Sequence, residues 1–202
     1  KTIERLIIYR GLLLNMATNE VKHIYSHQLA QLTGFTSAQI RRDIMSIGYS
    51  GSPVRGYDIK SLIDSLGEFI DGDTKQDVAL VGMGHLGRAI LDYLKGRRPN
   101  LQITATFDYD PAKVNRVIHG CMCYHVNGLE DVIRKQGIRA GIIAVPADEA
   151  QSVAERMVNA GIRGILNYAP VKLNLPAGIY VENRDMALAV EKVAYFARTA
   201  NE

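Results

Sequence analysis

Hydrophobic and polar positions follow two different patterns along the chain, and the change between them divides it. In the first sixty residues the apolar positions recur at helical spacing. Ile3, Leu6, Ile7, Leu13 and Leu14 lie close to one face of a helix over residues 2–16. Ser26 has the chemistry of an N-cap for a short helix carrying Leu29, Ala30 and Leu32 and closed by Gly34. Thr36 with Gln39 three residues on reads as a capping box, opening a helix that runs to about Ile47 and stops at Gly48. After a polar stretch, residues 71–76, the pattern changes to short apolar runs alternating with amphipathic segments. Runs over 77–81, 102–107, 140–145 and 163–168 predict buried strands, and a helix over 147–159 is closed by Gly161.

That alternation predicts an open α/β sheet, and its first turn carries chemistry. The strand 77–81 leads at once into Gly82-Met83-Gly84-His85-Leu86-Gly87, after which Leu86, Ala89, Ile90 and Leu94 recur at helical spacing. Gly82 permits the tight turn, Gly84 keeps no side chain between the backbone and a pyrophosphate, and Gly87 lets the helix approach the strand. The helix start offers free N–H groups to phosphate. Asp108 follows Gly87 by 21 residues and ends the next strand. A carboxylate there accepts from ribose hydroxyls and repels a 2′-phosphate, which favours NADH and NAD+ over their phosphorylated forms. The later strand exits, Val145-Pro146 and Asn167-Tyr168-Ala169-Pro170, fall on the same edge of such a sheet.

A dehydrogenase would add a substrate lobe and an acid–base group. About thirty residues follow Pro170, and no histidine lies beyond His125. The expectation is therefore a binding protein and not an enzyme.

The amino-terminal half suggests what binding is for. Two short helices joined through a glycine turn form a helix-turn-helix candidate. On its second helix Ile40, Ile44 and Ile47 share the inner face. Ser37, Ala38, Gln39, Arg41, Arg42, Met45 and Ser46 occupy the outer and flanking positions, where Arg and Gln can read base edges in a major groove. The glycine-punctuated loop 50–59 stands where a wing belongs. Arg55 at its tip has the reach for a narrow minor groove, and Tyr57 is a further candidate contact. Net charge is only +3 over 202 residues, so bulk charge says little; residues 1–60, however, hold eight Lys and Arg against four Asp and Glu. No run is long and apolar enough for a membrane span. Cys121 and Cys123, the only cysteines, are too close for a useful staple and lack zinc spacing, which fits a reducing, cytoplasmic setting.

Taken together these motifs resemble the Rex family of redox-sensing repressors over essentially the whole length. The matching runs are Gly82–Gly87, Phe107-Asp-Tyr-Asp-Pro-Ala-Lys113, Ala160–Pro170, Gln39-Ile-Arg-Arg-Asp43 and Asn183-Arg-Asp185. The resemblance implies an N-terminal winged-helix domain (1–72), a Rossmann-like doubly wound parallel sheet (76–184) and a C-terminal helix (185–202) exchanged within a homodimer on double-stranded operator DNA. It places cofactor-sensing roles on Tyr93 and Asp185 and adds Lys113 to the cofactor set. Leu188, Val190, Val193, Ala194 and Phe196 give the last helix a packing face in their own right.

The chain departs from the family pattern in four places. Arg10 stands one position before the family's arginine, which couples to the sensing aspartate. Met186 replaces an aromatic residue, Asn115 replaces glycine, and the wing is shorter and less aromatic. A small NAD-dependent oxidoreductase and a CoA-binding subunit are the alternative readings.

Overall fold

The computed structural model describes residues 1–72, 75–98 and 100–199. The chain divides into two compact units, Lys1–Thr74 and Lys75–Glu202. Of the stretch read as a linker, Asp73 and Thr74 lie outside the described residues, as do residues 200–202 of the C-terminal segment.

The first unit runs α1 (Thr2–Thr18), β1 (His23–Ile24), α2 (Ser26–Thr33), α3 (Ser37–Ser46), β2 (Tyr57–Asp58) and α4 (Ile59–Asp71). Leu6, Tyr9 and Leu13 of α1 pack on Leu29, on Ile40 and Ile44 of α3, and on Ile59, Leu62 and Leu66 of α4. The inner face of α1 is thus turned from the face the sequence predicts, and Ile3 and Ile7 remain exposed. The helix α4 is absent from the sequence expectation, although Ile59, Leu62, Ile63 and Leu66 recur at helical spacing. Its N-cap is Asp58, which accepts from the Ser61 N–H at 2.8 Å. Strands β1 and β2 pair antiparallel, and a bridge between Ser52 and Gly56 closes the loop between α3 and β2 into a wing.

Two cap expectations have different outcomes. Thr36 caps α3, accepting from the Gln39 N–H at 3.2 Å. Ser26 does not cap α2; it is the first helical residue, and Tyr25 precedes it in extended conformation with its N–H donating to Gln28 Oε1 at 2.8 Å. The glutamine side chain thus meets the need that the serine was expected to meet. The Ser26 hydroxyl instead accepts from Arg41 Nη1 at 3.0 Å.

A charged cluster fixes α3 against α1. Asp43 is buried and accepts from Arg5 Nε at 2.6 Å, Arg5 Nη2 at 2.7 Å and the Tyr9 hydroxyl at 3.0 Å. These bonds, the Arg5 pair first, hold the Asp43 carboxyl below its ordinary range; burial, with the neighbouring carboxylate, pushes the Tyr9 hydroxyl up. Because the folded-state value is depressed, this contribution to stability is present above the unfolded value and is lost as pH falls through the folded one. Asp43→Asn is therefore expected to melt lower than wild type at neutral pH, with the gap closing as pH drops below about 4. Paired thermal melts across that range check it; a gap that does not change with pH removes the charged pair as its cause.

The second unit contains a seven-stranded sheet in the order β5-β6-β4-β3-β7-β8-β9. Its strands are β3 (Gln76–Val81), β4 (Leu101–Asp108), β5 (Arg116–Ile118), β6 (Cys121–His125), β7 (Ala140–Ile143), β8 (Gly164–Asn167) and β9 (Tyr180–Asn183). All neighbours pair parallel except the β5–β6 edge hairpin. The third predicted strand ends two residues early, at Ile143: the Ala144 N–H still reaches the Val81 carbonyl at 2.8 Å, and Val145 belongs to the exit loop.

Helix α5 (His85–Leu94) belongs to the face whose core includes Val78, Leu80, Ile90 and Ile142. Helices α6 (Leu129–Gln136) and α7 (Ala147–Ala160) cover the other, around Phe107, Ile133, Ile143 and Met157. Both faces of the sheet are covered, which is why its strands read as continuous apolar runs. From β3 the chain steps to β4 and β6 on one side and later to β7 and β8 on the other, so the switch point lies beside the end of β3. Helix α8 (Met186–Thr199) ends the described chain with none of its side chains buried.

Candidate cofactor and nucleic-acid sites

At the end of β3 the backbone turns through Gly82, whose φ of 97° belongs to the left-handed region. A β-carbon there would lie 2.4 Å from the Ala144 carbonyl oxygen. At Gly87 it would lie 1.8 Å from the Gly82 carbonyl oxygen, so the helix can lie this close to the strand only with glycine there. Gly84 differs: it precedes α5, has an ordinary φ of −71°, and nothing lies within 4 Å of where its β-carbon would be. Its open side is the place for a phosphate over the helix start.

A cavity of about 600 Å³ opens there. Gly82, Gly84, Asp108, Lys113, Val145 and Pro146 of the sequence-predicted set all line it. Asp108 is buried and accepts from the Met83 N–H at 2.8 Å, the Asp110 N–H at 2.9 Å and Lys113 Nζ at 3.1 Å. Burial opposes its charge, and these three donors outweigh it, so its carboxyl stays below the ordinary range. The carboxylate is thus ionised and fixed in place at the cavity edge. Asp108 is also the turn residue before Asp110-Pro111, so its local and ligand-facing readings coexist.

Leu86, Tyr93 and Tyr168, with Met186, line a second, apolar cavity of about 360 Å³. Tyr93 is 60% exposed, with the Arg97 guanidinium 4.0 Å above its ring. His85 and Pro170 are exposed and line neither cavity.

Other predicted residues act from behind. Met83 is fully buried, and its N–H is committed to Asp108. Gly87 sits under the turn. Asn167 is a correction: it is fully buried, and its amide donates to the Ala169 and Val171 carbonyls and to Asn183 Oδ1 while accepting from the Ala169 N–H. With its hydrogen bonds used on the loop and on Asn183 at the end of β9, it shapes the loop that carries Ala169 and Pro170. Asp185 accepts from the Leu188 N–H at 3.0 Å and so caps α8. That capping role was not among the expectations for Asp185. Tyr109, Val126 and the α7 stripe 149, 152 and 156 also line the larger cavity; none was singled out from the sequence, where the helical spacing of the stripe is the one signal that could have found it.

In the first unit Ala38, Arg41, Arg42, Met45 and Ser46 are exposed along α3, with Ser37 and Gln39 partly so. Arg55 is exposed on the wing, which Tyr25 holds by donating its hydroxyl to the Val54 carbonyl at 2.5 Å. Tyr57 is a second correction. It is only 7% exposed, and a β-carbon on Gly51 would strike its ring, so it supports the wing from inside instead of presenting itself.

Comparison with known proteins agrees with this division. Residues 73–171 match the family model of the CoA binding domain, and residues 1–44 match a model of DNA-binding protein N-termini. The redox-sensing transcriptional repressor Rex of Syntrophobacter fumaroxidans is 40% identical, the match covering 96% of this chain and 93% of that one. Rex of Natranaerobius thermophilus is 35% identical over 97% of this chain and 90% of its own. The chain belongs to the Rex family. Crystal structures of the Rex-family repressor RSP superpose with a TM-score of 0.87 at 30% identity, covering 99% of this chain and 94% of that one. RSP in complex with NAD+ and operator DNA gives 0.86, at 30% identity and 99% and 92% coverage; RSP in complex with NADH gives 0.84, at 30% identity and 99% and 94% coverage.

Two departures from the Rex pattern have structural counterparts. Arg10 pairs with Asp71 through both terminal nitrogens, at 2.7 and 2.6 Å, within its own unit. Asn115 takes φ of 58°, a left-handed conformation that asparagine tolerates better than most residues other than glycine.

Gly84 and Gly87 predict different failures. Gly84→Ala is expected to fold and melt as wild type but to lose at least about tenfold in dinucleotide affinity, because the methyl group meets only the ligand. Gly87→Ala is expected to lower the melting temperature as well, through the backbone clash. Thermal melts beside NADH titrations separate them; an unchanged affinity in Gly84→Ala would remove the phosphate from that position.

Proposed function

We propose that this chain is a cytoplasmic transcriptional repressor that reads the balance of NADH and NAD+. It holds double-stranded operator DNA when NADH is scarce and releases it when NADH fills the crevice. The observation that carries this reading is a pyrophosphate-ready crevice at the switch point in the same chain as a capped recognition helix. Crystals of RSP hold NADH in one case and NAD+ with operator DNA in another. The curated relatives are repressors, not enzymes. No helix among the described residues is long and apolar enough to cross a membrane.

On the DNA side, Gln39, Arg42, Met45 and Ser46 face the major groove, with Ser37 and Ala38 at the helix start. Arg41, steadied by Ser26, and Arg55 on the wing reach the backbone or minor groove. A homodimer supplies two such helices about 34–36 Å apart, or a multiple of that distance. The support for a second copy is α8. Val190, Val193 and Phe196 are each about two-thirds exposed, and apolar surface of that extent is ordinarily covered. We assign that cover to the partner subunit, through exchange of α8.

The redox preference follows from charge. The dihydronicotinamide ring of NADH is neutral and suits an apolar cavity such as the one lined by Leu86, Tyr93, Tyr168 and Met186. The oxidised ring is a cation and loses hydration there unless a carboxylate, Asp185 of the second copy, offsets it. A switch from nearly all bound to nearly all released needs about 10⁴-fold tighter NADH binding by the released state.

The match to the CoA binding domain favours a second reading in which the ligand is coenzyme A. The Asp108 carboxylate opposes it, since it would face the 3′-phosphate of that ligand.

In a gel-shift titration on a palindromic operator, NADH is expected to weaken binding far more than NAD+ at equal saturation. Equal effects of the two forms would overturn the redox reading, and a larger thermal shift with coenzyme A than with NADH would favour the second. Arg42→Ala is expected to weaken operator binding by about 1–3 kcal/mol and to leave NADH affinity unchanged.

A further inference from the structure

The larger cavity has a wall that neither the glycine turn nor Asp108 explains. Helix α7 turns one stripe toward it, ending at Arg156. Arg156 Nε donates to Glu130 Oε1 at 2.5 Å, and Nη2 donates to Glu130 Oε2 at 2.7 Å and to the Val126 carbonyl at 2.8 Å. Glu130 belongs to α6, and Val126 follows the end of β6. One edge of the guanidinium is therefore held by three bonds. Its flat face and Nη1 are what remain for the cavity, beside Val126 and Val153. The side chain is 31% exposed and Glu130 25%, so both groups are largely removed from water.

Sheet order says which part of a ligand would lie there. Asp108 ends β4 and meets the ribose of the adenosine half. From the glycine turn at β3, the next strands on that side are β4 and then β6. The base attached to that ribose must therefore lie toward Val126, and the nicotinamide toward β7 and β8.

We propose that Arg156, held flat by Glu130, is the plate on which the adenine base of the bound dinucleotide stacks. This rests on the reading of the crevice as a dinucleotide site. A planar cation stacks on an aromatic face and is worth most when partly desolvated. The contact concerns the end of the ligand that does not change with oxidation, so it sets affinity and leaves redox preference alone.

The test is to titrate wild type, Arg156→Lys, Arg156→Met and Glu130→Gln with NADH, NAD+, ADP-ribose and reduced nicotinamide mononucleotide. Operator binding without cofactor serves as the control for folding. Both Arg156 variants are expected to weaken NADH, NAD+ and ADP-ribose alike, by about tenfold. Reduced nicotinamide mononucleotide and the NADH-to-NAD+ ratio are expected to stay as in wild type. Glu130→Gln is expected to show the same pattern with a smaller loss.

Full affinity in Arg156→Lys would overturn the proposal, since charge without the plane would then suffice. An equal loss for reduced nicotinamide mononucleotide would also overturn it, since the damage would not be to the adenine contact. If wild type fails to bind ADP-ribose at all, it is the dinucleotide reading that falls, and the two failures are told apart.

Discussion

Between Gly87 and the carbonyl oxygen of Gly82 there is no room for a single methyl group. That approach sets where α5 begins relative to the end of β3, and much of the second unit's chemistry depends on it. It leaves Gly84 open where a phosphate can sit, and it brings the Met83 N–H to the Asp108 carboxylate. The aspartate is then fixed by two backbone donors and Lys113, close beside the turn. A larger side chain at position 87 would move the helix start and with it the geometry of each of these contacts.

The first unit uses the same device for a different purpose. Asp43 is also a buried carboxylate held by three donors, two from Arg5 and one from Tyr9. There the result is that α3 is locked in its roll, so that Arg42 and Met45 face outward while Ile40 and Ile44 are buried. In each unit three donors hold the charge, and a side chain or cavity is positioned by it.

What the sequence disclosed, and what it did not, follows from the range of the forces involved. The glycine turn, Asp108 and the Thr36 cap depend on neighbours a few residues away or on a fixed spacing, and all were legible. Asp43 and Arg156 depend on partners 26 to 38 residues distant, and Asn167 ties its own loop to Asn183, 16 residues on. A polar residue on paper gives no sign of whether it faces water or a buried donor. Tyr57 was misplaced for that reason, since an aromatic residue in a wing can contact DNA or support the loop from inside. Ser26 was misplaced because two local solutions competed, and the Gln28 side chain had already met the N-cap backbone. The edge hairpin was missed because its strands are too short to show a period; α4 does show one, in Ile59, Leu62, Ile63, Leu66 and Ile70, and was passed over because the glycine-rich loop before it reads as running into a strand.

The two cysteines carry a last consequence. Cys121 and Cys123 are both buried in the sheet, and burial pushes the Cys121 thiol up to about 11 and that of Cys123 upward as well. Oxidants attack the thiolate, and burial of both side chains disfavours that form. Neither cysteine has the exposed, low-pKa character of a redox-sensing thiol. None of the residues lining the larger cavity carries sulfur, so an oxidant and a bound ligand would act at separate places in the molecule.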